Sequence, residues 1–150
     1  MKFAHEVLID GSIDAIWNVL DDIPRAASCM PGVTEVIHTQ DDEYQGVIQV
    51  QVGPMKFQLT GTVDVQRAPD TKSWTMKARA QDNRVNGGVQ ATINAMLTEQ
   101  SSNVANLNVT ADVQFLGRIG TLGQPLIKRK ADQMIEAFTK NLQAAVELET

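Results

Sequence analysis

The side chains in this 150-residue chain that could do chemistry are few and scattered. The two histidines, His5 and His38, stand far apart, and neither has a cysteine or another histidine at metal-ligand spacing. No H-E-x-x-H pattern occurs, so no metal site and no cofactor is expected. The one cysteine, Cys29, precedes Met30-Pro31-Gly32, and its nearest basic neighbour in sequence is Arg25. Little in that setting would stabilise a thiolate, so a small buried hydrophobe is a simpler role than a redox centre. Gly117, Gly120 and Gly123 resemble a phosphate loop only superficially. Their spacing is neither the dinucleotide fingerprint nor a P-loop, and no Lys-Ser/Thr pair follows. They read as a flexible junction that would let the following helix shift. There are no paired carboxylates and no nucleophile–base set. His5 shares parity with Phe3 and Val7 and would point inward, where a general acid or base would have to sit. A single histidine in an apolar wall is more often a satisfied core residue. The pattern therefore favours binding over turnover, and catalysis through His5 or a residue at the mouth is the competing reading.

The elements that must position these residues follow from periodicity. Residues 2–9 read as a first strand. Ser12 is a plausible N-cap for a helix whose face is Ile13, Ile16, Trp17 and Leu20, and a second short helix over about 23–29 ends at Pro31-Gly32. From 33 to 115 the period is two. Ile48, Val50 and Val52 share one parity, as do Met55, Phe57, Leu59, Gly61, Val63 and Val65. Trp74, Met76, Ala78 and Ala80 form a third set, Val89, Ala91, Ile93, Ala95 and Leu97 a fourth, and Leu107, Val109, Ala111 and Val113 a fifth. Polar residues, among them Asp64, Lys77, Arg79 and Asp112, occupy the opposite parity. Such alternation predicts an antiparallel sheet with one wet face. Turn signals at Asp41-Asp42, Gly53-Pro54, Pro69-Asp70, Asn86-Gly87-Gly88 and Ser101-Ser102-Asn103 divide five long strands, with one more at 33–40.

The last segment changes period. Leu126, Ile127, Ala131, Met134, Ile135, Phe138, Leu142, Ala145 and Val146 form one helical stripe. Its start has two readings, a capping box from Thr121 to Gln124 or a first residue at Pro125. Over 125–148 the helix would be about 36 Å long, enough to cross a sheet. The class is thus α+β: a seven-stranded curved antiparallel sheet around a long C-terminal helix, in one domain spanning 1–150. A sheet wrapped on one helix leaves a gap between its walls where a small ligand fits. The expected wall is Trp17, Met30, Val50, Val52, Phe57, Leu59, Trp74, Met76, Ile93, Leu97 and Val109, with Met134, Ile135, Phe138 and Leu142 from the helix. Taken one at a time, each of these is more simply core than ligand wall; the cavity follows from the architecture as a whole.

Charge narrows the partners. The net charge is −5, so binding to a nucleic-acid backbone is not expected. Residues 1–117 carry 8 basic and 14 acidic side chains, against 5 and 4 in residues 118–150. Arg118, Lys128, Arg129 and Lys130 form a stretch without an acid, read either as a solvated helix start or as a contact with an anionic surface. With one cysteine no intramolecular disulfide forms, and no signal peptide is visible, which points to the cytoplasm. No apolar run reaches the roughly 18 residues needed to span a bilayer.

Several motifs, in order, resemble the carbon monoxide dehydrogenase G-subunit family, within the START-like, pollen-allergen-like helix-grip superfamily. They are Trp17 followed by Leu20-Asp21; Cys29-Met30-Pro31-Gly32; Val52-Gly53-Pro54 with Phe57 and Gly61; and Gly117, Leu122-Gly123 and Phe138. Each is weak alone, but their order and spacing run through nearly the whole chain. The resemblance implies a helix-grip fold holding a hydrophobic or amphipathic molecule, with lipids and isoprenoid quinones as candidates. It implies a molybdenum hydroxylase of the carbon monoxide or xanthine dehydrogenase type as partner, at the inner face of the cell membrane. Some helix-grip proteins are cyclases or dehydratases, which gives the competing enzyme reading a form. Many relatives continue past the long helix into an apolar anchoring tail. This sequence ends at Thr150, so any membrane contact is expected to be peripheral.

Overall fold

The computed structural model describes residues 1–149. Strand β1 (Lys2–Asp10) leads into helices α1 (Ile13–Asp21) and α2 (Ile23–Ser28). Six strands follow: β2 (Val33–Gln40), β3 (Glu43–Val52), β4 (Met55–Ala68), β5 (Ser73–Asp82), β6 (Gly87–Ser101) and β7 (Val104–Gly117). A 3-10 turn (Ile119–Thr121) then joins helix α3 (Gln124–Glu147). The seven strands form one sheet in the order β1-β7-β6-β5-β4-β3-β2, antiparallel at every pairing. The seven-stranded antiparallel sheet, the short helices after the first strand and the long C-terminal helix expected from the sequence are therefore all present.

Local chemistry explains the element ends. Ser12 Oγ accepts the Ala15 N–H at 3.2 Å and caps α1; an Asp22 carboxylate oxygen accepts the Arg25 N–H at 3.4 Å and caps α2. Helix α3 departs from both readings of its start. It begins at Gln124, and its N-cap is Gly123 at φ 85, with no side-chain cap. Thr121 belongs to the preceding 3-10 turn, where its hydroxyl donates to the Arg118 carbonyl at 2.6 Å. The positive φ of Gly123 turns the chain so that Pro125 falls in the first helical turn, where its missing N–H would have no intrahelical partner anyway.

Helix α3 runs parallel to β1 and is tied to it at two points. His5 Nε2 pairs with Asp132 Oδ1 at 3.0 Å. Further on, the Gln143 amide bonds both backbone groups of Asp10, each at 2.9 Å, and so covers the free edge of β1. The two ties are in step: five strand residues and eleven helix residues each advance about 17 Å. The C-terminal half of α3 is held further by Asn141, which donates to the Cys29 carbonyl at 2.9 Å, and by Arg25, which donates to the Ala145 carbonyl at 3.2 Å and pairs with Glu149.

The apolar residues of the inner sheet face do not form one continuous core. A large cluster at one end joins Ile9, Ile16, Val19, Leu20, Val65, Trp74, Leu97, Leu107, Leu142 and Val146. A separate small cluster at the other end is built on Phe57, Leu59 and Ile119.

Candidate functional site

Between the two clusters the inward-facing side chains are only half-buried. They include Val63, Met76, Ile93, Val109 and Val113 on the sheet and Ala131, Met134, Ile135 and Phe138 on α3. Along the helix, Ile127 and Leu142 are buried while the stripe between them is half-open, a span of about 22 Å. The closest backbone approaches of α3 are to β1, β3 and α1, at the rims of the sheet and not over its centre.

The central strands explain this. Their inward positions carry Gly61, Ala78, Ala80, Ala91 and Ala111, and the register sets them side by side: Gly61 opposite Ala80, and Ala78 opposite Ala91. Small side chains under the middle of a helix that makes its closest approaches at the rims leave a half-buried apolar gap there. At Gly61 the close approach of strands is itself required, because a Cβ there would overlap the Arg79 carbonyl and Ala80.

The residues expected at the wall divide between this gap and its ends. Met76, Ile93, Val109, Met134, Ile135 and Phe138 are half-buried around the gap, and Val50 is half-buried opposite Phe57 at the small-cluster end. Phe57 and Leu59 are buried in the small cluster, and Trp74, Leu97 and Leu142 in the large one. Val52 is buried at the end of β3, and Trp17, half-buried on α1, stacks on Trp74 with centroids 4.4 Å apart. Met30 lies in the turn after α2, outside both clusters. The small inward residues escape a reading of hydrophobic pattern because alanine and glycine carry little apolar signal of their own. What makes them informative is their shared parity with larger neighbours.

The polar groups near the gap are few. His5 faces α3 with its side chain 20% exposed and is held by Asp132. Cys29 is buried; burial pushes its thiol pKa up, against a smaller lowering by Arg25. At the small-cluster end, Asp82 is buried, and its carboxylate accepts from the Gln58 N–H at 2.7 Å and the Arg84 N–H at 2.8 Å, with the Arg84 guanidinium alongside. The bond from that guanidinium, and then the Gln58 N–H, hold the Asp82 carboxyl well below the usual carboxylate range. These bonds order the β5–β6 turn. Beside it an open cleft of about 490 Å³ reaches Arg118. Asp64, Lys77, Arg79 and Asp112 are on the wet face, as their parity requires, where a shallow concavity of about 1100 Å³ crosses the sheet. Across its strands Asp64 stands opposite Lys77 and Asp112 opposite Lys2, with charged and polar side chains making up most of its lining residues. Among the described residues no group of three His, Cys, Asp or Glu side chains is placed to hold a metal ion.

Arg118, Lys128 and Arg129 are exposed and Lys130 is half-buried, all around the start of α3. That end of the helix has no acid in its first turn. Among the described residues no helix is long and apolar enough to cross a membrane.

Solved structures share the whole fold at low identity. A conserved protein from Geobacillus kaustophilus superposes with a TM-score of 0.89 at 18% identity, covering 98% of this chain and 95% of its own. A START superfamily protein from Mycobacterium smegmatis gives 0.75 at 14%, covering 99% of each chain. The ZhuI aromatase/cyclase from a Streptomyces species gives 0.71 at 14%, covering 98% and 93%. No curated protein sequence matches the chain. The family model for the G subunit of carbon monoxide dehydrogenase (CoxG) matches residues 6–147, nearly the whole length, and the chain belongs to that family.

Proposed function

We propose that this protein binds and carries a hydrophobic or amphipathic small molecule, lipid-like or quinone-like, in the gap between α3 and the sheet. In this reading it is a non-catalytic accessory to a molybdenum hydroxylase of the carbon monoxide dehydrogenase type. The observation that carries the binding role is the half-buried apolar band over Gly61, Ala78, Ala91 and Ala111, flanked by two packed clusters. A core meant only for stability would fill that band. The accessory role rests on family membership.

The basic start of α3 supports a docking role. Arg118, Lys128, Arg129 and Lys130 have no ion-pair partner among the described residues. Three of them lie in the first two turns of the helix, where the macrodipole is positive and like charge is unfavourable. Cations kept there suit an anionic partner, the membrane face or an acidic patch on the enzyme.

Native mass spectrometry of the protein purified from its source tests the binding role. A retained small molecule, lost in Phe138→Asp, is the expected result. An empty protein whose melting temperature is unmoved by lipids or quinones refutes it.

The His5–Asp132 pair at the rim of the gap supports a second reading, a small cyclase- or dehydratase-like enzyme with His5 as acid or base. A carboxylate orients an imidazole for proton transfer in this way. Turnover that survives His5→Ala would end that reading.

A further inference from the structure

Among the described residues, one buried polar side-chain atom on the inner face has no partner. Trp74 is 5% exposed and points inward from β5, and its Nε1–H makes no hydrogen bond among the described residues. A buried donor left without an acceptor costs free energy, and an acceptor brought by a ligand would recover it. The stacking partner of Trp74 does not take the bond. The Trp17 and Trp74 rings are 24° from parallel, so an N–H lying in the Trp74 ring plane does not aim at the Trp17 face. Trp17 is fixed from its own side, with Lys72 Nζ 5.2 Å from its ring centroid and 3.7 Å from Asp14.

Trp74 also sits where the packed cluster gives way to the gap. Its cross-strand neighbour is the small Ala95, and the row continues through Val109 to His5. Half-buried Met76, Val109 and Phe138 pack against the same cluster from the gap side. Met76, unbranched and flexible, is the neighbour best able to yield to an incoming group.

We propose that Trp74 Nε1–H is the hydrogen-bond donor that orients the ligand, and that the ligand is therefore an apolar molecule bearing a neutral acceptor oxygen of ketone, quinone or ester type. The indole nitrogen donates and cannot accept, which selects an acceptor. The cation opposite Trp74 in register, Arg67, is committed to Asp21 at 2.7 Å and Asp42 at 3.3 Å, so it is not free to receive a carboxylate there. This inference rests on the binding role proposed above.

Benzophenone and diphenylmethane, which differ only by the carbonyl oxygen, test it. The protein has two tryptophans, so two indole N–H cross-peaks are expected, and Trp74→Phe or Trp17→Phe assigns them. In the unaltered protein, benzophenone should move the Trp74 cross-peak downfield and diphenylmethane should not. Trp74→Phe should weaken benzophenone about tenfold, the usual scale of one hydrogen bond, and leave diphenylmethane within about twofold. A Trp74 cross-peak that stays still while benzophenone saturates the protein overturns the inference and leaves the binding role standing; so does equal weakening of both probes. Failure of the unaltered protein to bind either probe overturns both. If Trp74→Phe does not fold, the cross-peak of the unaltered protein decides alone.

Discussion

Enlarging Ala91 should stabilise this protein, where enlarging a packed core residue would do the reverse. Ala91 lies at the centre of the inner face, between Ala78 and Val113 in register, and is half-buried. Replacing it with isoleucine adds three carbons. At about 0.8 kcal/mol per buried CH₂, full burial would contribute about 2.4 kcal/mol, and half that is the working figure at a half-buried site. Isoleucine also suits a strand better than alanine, which offsets much of the rotamer entropy lost. A net gain of about 1 kcal/mol is expected, or about 2–4 °C in Tm for a chain of this length. The control is Ala105, which is 0% exposed in the large cluster. There Ala105→Ile should overpack and cost about 1–3 kcal/mol. Urea denaturation read by tryptophan fluorescence gives both values. Ala91→Ile should also reduce uptake of an apolar ligand, since it fills part of the gap. Destabilisation of Ala91→Ile to the same degree as Ala105→Ile would refute the reasoning, because it would mean that the band beneath α3 is already filled.

Three further outcomes follow from the polar contacts. Asp82 has a folded pKa below its unfolded value, so the stability it contributes is complete above about pH 4 and is lost as pH falls through the folded value. Asp82→Asn should lower the urea midpoint at pH 7 and flatten its decline between pH 5 and 2; an unchanged profile contradicts that linkage. Asp132→Asn should cost only about 0.2–1 kcal/mol overall, as exposed pairs do. It should nevertheless speed hydrogen exchange over 124–135 while 138–147, held by Asn141, Gln143 and Arg25, stays protected. Uniform change along α3 would mean that the His5–Asp132 tie does not separate the two halves. Cys29, buried with its thiol pKa raised, should react with a maleimide at pH 7.5 far more slowly in the native protein than in urea. Rapid native labelling would show that the α2–β2 turn opens.

The seven strands, their turns and the long helix are legible in the sequence because alternation and helical stripes are properties of neighbouring residues. Parity alone puts Val50, Met76, Ile93 and Val109 on the inner face, and Asp64, Lys77, Arg79 and Asp112 on the wet one. Composition, with two histidines and one cysteine, leaves few groups from which a catalytic or metal site could be built. The start of α3 lies one residue before Pro125, because a backbone turn at Gly123 carries less sequence signal than a side-chain cap.

Tertiary structure decided which inward residues are packed and which border open space. Phe57 and Val109 have the same alternating signal, yet one is buried in a cluster and the other half-open. The pairing of His5 with Asp132, 127 positions apart, and the unpaired N–H of Trp74 have no local signature at all. The chain by itself thus determined which faces turn inward, since that depends on backbone period. Whether those faces meet depends on how far the rims at β1 and β3 hold α3 from the centre of the sheet, a distance that no single segment encodes.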